Sequence, residues 1–335
     1  MVEAPFPPAP LGQVGTAPTP RRPRDEGPPQ PEDEKLLDHV HDLLLNGRVN
    51  EGMEELLLTL KARRLSAPRE EWQRLVKFCI SHPLQSLLHQ DPFTRHSFTK
   101  PRGYPGDAVL LDYIYGHEEG WALPPETTRL GQAIHDFTIR SAACEGVRTR
   151  REFIAQRLDE MGAAGKPRVL SVAAGHLREA ALSAAVKRRR FARFVAMDAD
   201  AQSLREVERC YGRLGVEPLL ATVRNLLLPS QSLGEFDLIY STGLYDYLTQ
   251  TTAQRLSLAL FRMLAPRGRL VIANFLPGIP DLGYMESYMD WELIYRTRAE
   301  MLDVAARIPQ NEMRDIRLFA EENQNILFLE ATRAG

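Results

Sequence analysis

The sequence predicts an α/β fold, in which alternating strands and helices form a mostly parallel sheet that ends in a hairpin, preceded by a helical region. A short apolar strand at Arg168–Val172 runs through a small-residue turn at Gly175 into a helix-forming segment. A second strand, Phe194–Asp198, ends on acidic residues, and strands and helices then alternate. A strand, a glycine turn, a helix and a carboxylate-ended strand together form a crevice for a nucleotide-type ligand. The sequence therefore predicts a small-molecule cofactor site.

The later elements follow in order. They are a third strand at Leu219–Val223, a fourth at Phe236–Tyr240, a helix at Gln254–Leu264, a fifth strand at Arg269–Asn274, and a hairpin of Asp315–Phe319 and Asn325–Glu330. Proline and glycine end the helix, and the apolar fifth strand suits a sheet that is covered on both faces. A polar turn between two apolar runs predicts the hairpin.

The turn after the first strand offers Ala173, Ala174 and Gly175 instead of the three spaced glycines that a dinucleotide pyrophosphate requires. An adenosine ligand without phosphates fits such a turn better. Asp198 is predicted to accept hydrogen bonds from ribose hydroxyls. Two alternatives stay open: Gly175 serves only close packing, and Asp198 or Asp200 is an ordinary carboxylate at a strand end or helix start.

The stretch Val169–His176 followed by Asp198 resembles the first two motifs of class I S-adenosylmethionine-dependent methyltransferases. Their commoner pattern has an acidic residue at Ser171 and glycine at Ala173. The resemblance implies a Rossmann-like fold with a seven-stranded, mostly parallel sheet whose last strand is antiparallel. It also implies S-adenosylmethionine as cofactor, with S-adenosylhomocysteine as product. The candidate cofactor residues are Ser171, Ala173, Ala174, Gly175, His176, Asp198, Ala199, Asn225, Leu226 and Ser241. Asn225 is predicted to bind the adenine edge, although asparagine is also common in turns.

Composition divides the chain into three parts. Residues 1–32 are rich in proline and are predicted to be a disordered tail. Residues 33–150 are predicted to form a helical cap or substrate region, with amphipathic helices from Asp33 to Asn46, over Met53–Leu60 and over Glu70–Ile80. Residues 151–335 are the predicted cofactor domain. A support or dimer face is the alternative for the helices, so a homodimer is compatible with the sequence.

Charge and cysteine content narrow the function classes. The formal net charge of −2 offers no broad attraction for nucleic acid or anionic membrane. Four basic residues at Lys187–Arg190 are more typical of a solvated helix end, and Ser241–Leu244 lacks the Pro-Pro-aromatic pattern of methyltransferases that act on bases. Three scattered cysteines argue against a structural metal and for a reducing compartment, and no apolar run is long enough to span a membrane. We therefore predict a cytoplasmic protein with no metal.

A loop at Lys100–Asp107 contains two prolines and two glycines, which restrict the positions of Arg102 and Tyr104. This loop, the following Asp112–Gly116 and the Leu170–Ala180 form of the cofactor turn resemble bacterial methyltransferases that synthesise 3-hydroxypalmitic acid methyl ester. The resemblance implies a fatty acid carboxylate as methyl acceptor. A rigid connector with a buried tyrosine is the alternative for the loop.

The chemistry depends on the acceptor. A carboxylate is ionised at neutral pH and needs no general base, whereas a phenol or ammonium needs one. Candidate bases are His176, Asp246 and His135. Further candidates are Tyr245, as a donor to the acceptor, Tyr104, facing the sulfonium, and Arg102 or Arg140, pairing with the cofactor's carboxylate. For each of these, an ordinary turn, packing or surface role is the alternative.

The segment Phe275–Arg296 is rich in aromatic residues and methionine and follows the substrate edge of the sheet. It is predicted to wall an apolar pocket for a lipid-like small molecule, or else to be a buried helix in the N-terminal interface. The candidate substrate residues are Tyr113, Tyr247, Asn274, Tyr284, Tyr288 and Tyr295. A cofactor-binding regulator without catalytic activity remains a function of a different class.

Overall fold

The computed structural model describes residues 30–228 and 233–335. The chain forms two compact units. The helical unit comprises the described residues up to Leu110, Gly120–Ile139 and Pro280–Trp291. The sheet unit comprises Leu111–Glu119, Arg140–Ile279 and Glu292–Gly335. The predicted disordered tail lies outside the described residues up to residue 29, and the first helix begins at Pro31.

The α-helices are α1 (Pro31–Leu45), α2 (Val49–Ser66), α3 (Arg69–Ser81), α4 (Leu84–Leu88), α5 (Pro92–Thr99), α6 (Ala108–Glu119), α7 (Arg129–Thr138), α8 (Ala142–Ala164), α9 (Glu179–Leu182), α10 (Ala184–Lys187), α11 (Ala201–Tyr211), α12 (Val223–Leu226), α13 (Gln250–Arg262), α14 (Leu282–Ser287) and α15 (Arg298–Asp303). Short 3-10 helices cover Gly212–Leu214, Tyr245–Tyr247 and Gln310–Glu312. No helix of the described residues has the length and apolar character needed to cross a membrane.

The three helices predicted from the N-terminal pattern are confirmed as α1, α2 and α3. α1 buries Leu37, Val40 and Leu44, which the three-and-four spacing places on one face. Asp33 at the start of α1 accepts hydrogen bonds from the Arg63 guanidinium of α2 at 2.8 and 2.7 Å. Apolar burial and this ion pair therefore hold the first two helices together.

Helix α14 completes the core of the helical unit. A Cβ atom at Gly283 would lie 2.6 Å from the backbone carbon of Leu60 on α2, so only glycine allows this close approach. The Glu286 carboxylate accepts hydrogen bonds from Arg64 Nε at 2.5 Å and from Trp72 Nε1 at 2.8 Å. α14 is thus fixed to α2 and α3 by backbone contact and by a buried charge with two donors.

The sheet unit contains β1 (Arg168–Val172), β2 (Arg193–Asp198), β3 (Val216–Leu220), β4 (Phe236–Ser241), β5 (Leu264–Phe275), β6 (Met313–Ala320) and β7 (Ile326–Arg333). Their spatial order is β3-β2-β1-β4-β5-β7-β6. Strands β1 to β5 pair in parallel, and β7 is antiparallel to both β5 and β6. The predicted seven-stranded sheet with an antiparallel last strand is confirmed.

Two strand boundaries differ from the prediction. β3 begins and ends three residues earlier than expected, because it is the outermost strand and an edge position tolerates Pro218. β5 begins at Leu264, before the Ala265–Gly268 turn that was expected to precede it. The pairing register with β4 shifts at this point, and Arg267 has a φ of 65°, so the turn is retained as an irregularity within the strand.

Candidate active site

The sheet has one point at which its strand order reverses, between β1 and β4. Chain connections leave these two strands in opposite directions, which opens a crevice beyond their carboxyl ends. The segments that border it are Ala173–Leu177 after β1 and Thr242–Tyr247 after β4, with Asp198 ending the neighbouring β2. The sheet unit therefore brings three predicted parts of the site to one edge of the sheet. They are the cofactor turn, the aspartate predicted to bind ribose, and the candidate residues that follow β4.

The turn after β1 has a left-handed backbone at alternate positions. Ala173, Gly175 and Leu177 have φ values of 56°, 54° and 53°. This conformation costs a residue with a Cβ atom about 1–2 kcal/mol, so the surrounding structure must stabilise it. Part of that support is the hydrogen bond from Ala174 N–H to the Met197 carbonyl at 3.0 Å. The turn thus has the backbone of a glycine-rich loop with a single glycine.

Asp198 links the turn to the end of β2. Its Oδ2 accepts from the Gly175 N–H and its Oδ1 from the Asp200 N–H, both at 2.8 Å. Burial raises the pKa of the Asp198 carboxyl, although these two hydrogen bonds oppose that shift. A carboxylate has about four acceptor sites, so acceptor capacity remains for a ribose hydroxyl. A buried acceptor beside an open backbone turn fits the ribose of an adenosine-type cofactor.

Two other predicted cofactor residues have local structural partners. Asn225 lies in α12, and its Oδ1 accepts from the N–H and hydroxyl of Thr222, both at 2.8 Å, in a capping box. Leu226 is buried beside it. Asp200 caps α11 by accepting from the N–H groups of Gln202 and Ser203. These contacts correspond to the turn and helix-start alternatives for Asn225 and Asp200, and Ala199 between the two aspartates is half-buried.

His176 is held by a charged cluster that sequence reasoning missed. Its Nδ1 lies 2.8 Å from Asp112 Oδ2. Arg178 donates to the same carboxylate at 2.7 and 2.6 Å and to Glu206 of α11 at 3.0 Å. Burial alone would raise the pKa of Asp112, but hydrogen bonds from Arg178 and His176 outweigh it and lower the pKa. The only sequence signal was the Asp112–Gly116 stretch beside the rigid loop.

The β4 candidates make contacts with the protein scaffold. Ser241 donates to the Val172 carbonyl at 2.9 Å, and the Tyr245 hydroxyl lies 3.0 Å from Ser257 Oγ of α13. The carboxylate of Asp246 accepts from the Phe275 N–H at 2.8 Å. Burial raises the pKa of Asp246 to about 6, against opposing effects of that hydrogen bond and of nearby arginines. Tyr247 is half-buried.

A buried arginine organises the ends of β4 and β5. Arg296 is 1% exposed and donates to the Tyr245 carbonyl at 2.6 Å, to Gln250 Oε1 at 2.9 Å and to Asn274 Oδ1. Asn274 in turn donates to the Ile294 carbonyl at 2.9 Å. The network fixes the chain that leaves β5, which carries Tyr295. Sequence analysis did not identify Arg296 as structural because its partners are distant in the chain.

Other candidates belong to the helical unit. Arg102 and Tyr104 are half-buried there, and Tyr284 and Tyr288 are buried. The Tyr284 hydroxyl lies 2.9 Å from Thr94 Oγ1, and His135 Nδ1 lies 3.0 Å from the buried Asp91. Of the remaining candidates, Tyr113 is half-buried and Arg140 is exposed in the sheet unit. The described residues contain no group of three or more His, Cys, Asp or Glu suited to a metal ion.

Residues 170–272 match the family model of a methyltransferase domain. A possible exported protein from Bordetella parapertussis is similar in structure, with 14% identity, coverage of 91% of this chain and 96% of that chain, and a TM-score of 0.55. Magnesium protoporphyrin IX methyltransferase from Synechocystis PCC 6803, with bound S-adenosylhomocysteine, has 12% identity, coverage of 68% and 98%, and a TM-score of 0.45. The sequence matches no curated protein. At identities this low, structural likeness establishes only the fold.

The matched segment runs from β1 into β5 and includes the whole border of the crevice. The chain therefore carries a methyltransferase domain with a Rossmann-like fold. The protein is an S-adenosylmethionine-dependent methyltransferase, and S-adenosylmethionine is its cofactor.

Proposed function

We propose that the protein transfers a methyl group to a carboxylate oxygen of a small acid, with a 3-hydroxy fatty acid or a similar acid as the acceptor. The observation that supports this acceptor is that the side chains after β4 form hydrogen bonds with other parts of the protein. Tyr245 pairs with Ser257, and Asp246 accepts from the Phe275 N–H. An acceptor that arrives already ionised needs no proton removed by either group.

S-adenosylmethionine supplies a methyl group on a positively charged sulfur, and the displacement must be in line. The protein's task is then to align the acceptor and to exclude water. We assign ribose binding to Asp198 and contact with the remainder of the cofactor to the Ala173–Leu177 turn. Ser241, which is buried at the end of β4, supports this turn through the Val172 carbonyl.

The acceptor side of the sheet unit offers apolar and aromatic surface. The N–H of Ile294 donates to the Asp246 carbonyl at 2.7 Å, while the Ile294 side chain is 39% exposed. Tyr247 is half-buried, and Tyr295 follows Ile294. We propose that these residues contact the acceptor's apolar part. Tyr284 and Tyr288 are weaker candidates because both are buried in the helical unit.

A second candidate is methylation of a hydroxyl or amine with His176 as general base. The Asp112–His176 contact of 2.8 Å favours it, because a carboxylate at Nδ1 holds the proton there and leaves Nε2 as the acceptor. Asp112 would then be a positioning residue. This candidate requires an acceptor whose reacting atom carries a proton at neutral pH.

An acceptor panel with a pH profile separates the two candidates. S-adenosylhomocysteine formation is measured with 3-hydroxy fatty acids, phenols and amines between pH 6 and 8, a range about one unit either side of neutrality. Carboxyl methylation predicts turnover with the acids at a rate that hardly changes over this range. Turnover restricted to phenols or amines, with a rate that falls towards acid pH and is lost in His176→Ala, would replace it by the base-assisted reaction.

A further inference from the structure

We propose that Arg150 and Glu179 bind the amino-acid part of the cofactor, with the guanidinium receiving the carboxylate and the carboxylate receiving the ammonium group. The inference depends on S-adenosylmethionine as the cofactor and is independent of the methyl acceptor. Arg150 lies on α8 and Glu179 starts α9, directly after the cofactor turn. Both belong to the sheet unit.

Arg150 reaches the crevice from the β4 side. Its Nη1 donates to the carbonyl of Thr242, the first residue after β4, and a Cβ atom at Gly243 would lie 3.9 Å from its Nη2. Its other side-chain hydrogen bond is to Tyr115. The guanidinium therefore lies at the strand end that borders the reversal point, where a ligand is expected in this type of sheet.

Arg150 forms no ion pair within the described residues, although Glu179 and Asp246 are close enough to interact with its charge. The side chain is 5% exposed, yet no carboxylate of residues 30–228 and 233–335 lies within 4.0 Å of it. Its two neighbours on the same helix differ, since Arg148 pairs with Glu118 at 3.0 Å and Arg151 with Glu119 at 2.8 Å. A buried charge without a counter-ion is costly, which is the condition in which an anionic ligand group gains most.

Glu179 is the complementary group. It is half-buried, and in the described part of the chain it has no ion pair with an arginine, lysine or histidine. Its Oε1 accepts from the Tyr240 hydroxyl at 2.7 Å. Burial raises the pKa of Glu179, while the positive charges of Arg150 and Arg151 act against that rise. Arg150 and Glu179 are thus close enough to interact electrostatically, but they do not form an ion pair with each other. A zwitterionic ligand group that binds between them requires this arrangement.

Glu179 is connected to β1 through Tyr240. Ser171 on β1 is 2% exposed. Ser171 and Tyr240 are register partners on β1 and β4, and their side chains are hydrogen-bonded. Tyr240 in turn donates to Glu179. Glu179, the first residue of α9, is therefore fixed to the two strands that border the reversal point.

The test compares ligands that differ only in the amino-acid part. Calorimetry on the full chain measures S-adenosylhomocysteine and 5′-methylthioadenosine, which lacks that part. Arg150→Met and Glu179→Gln are each expected to weaken S-adenosylhomocysteine binding at least about tenfold and to change methylthioadenosine binding less than about twofold. Arg148→Met replaces another buried arginine on the same helix, one that pairs with Glu118, so it is the matched control and should affect neither ligand. Equal weakening of both ligands, or no weakening, would overturn the proposal.

The wild-type protein gives a second test that does not depend on folding of the variants. S-adenosylhomocysteine should bind at least about tenfold more tightly than its decarboxylated analogue and than its deaminated analogue. Equal affinity for all three rules out a charged receptor for the amino-acid part. Failure to bind S-adenosylhomocysteine and methylthioadenosine at all would instead remove the cofactor assignment, so the two failures are distinguishable.

Discussion

Asp198 has two tasks at the end of β2. Its carboxylate holds the Gly175 N–H and the Asp200 N–H, and we propose that its remaining lone pairs bind the ribose. Removing it should therefore affect the shape of the turn as well as ligand contact. The carboxylate of Asp200, two residues later, accepts from the N–H groups at the start of α11, which makes Asp200 a close comparison.

Asp198→Ala is expected to weaken S-adenosylhomocysteine binding by about 1–3 kcal/mol, because hydrogen bonds to a charged acceptor are lost. Asp200→Ala should lower the free energy of unfolding by about 0.5–2 kcal/mol through loss of the helix cap, with a smaller effect on binding. Calorimetry and urea unfolding measure the two quantities. Unchanged ligand affinity in Asp198→Ala would place the ribose elsewhere.

Asp246 should make the free energy of unfolding decrease as the pH rises towards neutrality. Its folded pKa of about 6 lies above the ordinary value of 3.8, so the folded carboxyl retains a proton that the unfolded chain releases. Its contribution to stability is therefore present below pH 3.8 and is lost as pH rises towards and through about 6, with an upper limit of about 3 kcal/mol. Asp246→Asn should raise the free energy of unfolding at pH 7 and should flatten this dependence.

Asp159 provides a control of opposite sign. Burial acts to raise its pKa, but the hydrogen bonds from Ala185, Ser183 and Ala184 together outweigh this effect and lower the pKa. Its stabilising effect is present at neutral pH and is lost as pH falls through the folded pKa. Asp159→Asn should consequently destabilise at pH 7. Urea unfolding at pH 4 and 7 measures both variants, and equal pH dependence in wild type and Asp246→Asn would contradict the prediction.

At the scale of elements, the turn after β1 explains how a sequence with one glycine builds a glycine-type loop. Ala173 and Leu177 accept left-handed backbone conformations, and Leu177 is 1% exposed. Its burial contributes about 1.5–3 kcal/mol, which is comparable with the conformational cost. A pattern search for glycines cannot detect such a turn, because the stabilising contacts come from outside it.

Gly283 makes the packing of α14 testable. Gly283→Ala should lower the free energy of unfolding by about 1–3 kcal/mol, since the new methyl group meets the Leu60 backbone, which cannot move as a side chain could. Gly165→Ala is the control, because a Cβ atom there has nothing within 4 Å and the backbone φ is 172°. Equal stability of the two variants in urea unfolding would show that α14 and α2 are packed less closely.

At the scale of the molecule, the crevice is a product of strand order. His176 and Asp112 are 64 residues apart, and Arg296 and Tyr245 are 51 apart, yet each pair is joined by a hydrogen bond. Such contacts depend on the path of the whole chain through the sheet unit. They bring charged groups to the same sheet edge as the cofactor turn.

Ligand binding should stabilise the protein against heat in a chemically selective way. S-adenosylhomocysteine at about one hundred times its Kd should add about 2.7 kcal/mol to the stability of the binding unit, because it binds only the folded state. ATP is the control, since the predicted site binds adenosine without recognising phosphates. Differential scanning calorimetry measures both. An equal rise of Tm with ATP would contradict an adenosine site without phosphate recognition.

The order of the sheet elements could be predicted from the residues alone, because it depends on local periodicity, and the structure confirms it. The cofactor-binding roles of the turn after β1 and of Asp198 remain predictions. The single glycine of that turn also favoured an adenosine-type cofactor without phosphates. The partners of His176, the scaffold roles of Asp246 and Arg296, and the burial of Arg150 without an ion pair became apparent only in the folded chain. The physical reason is that burial and charge pairing are properties of the folded environment, which distant segments create together.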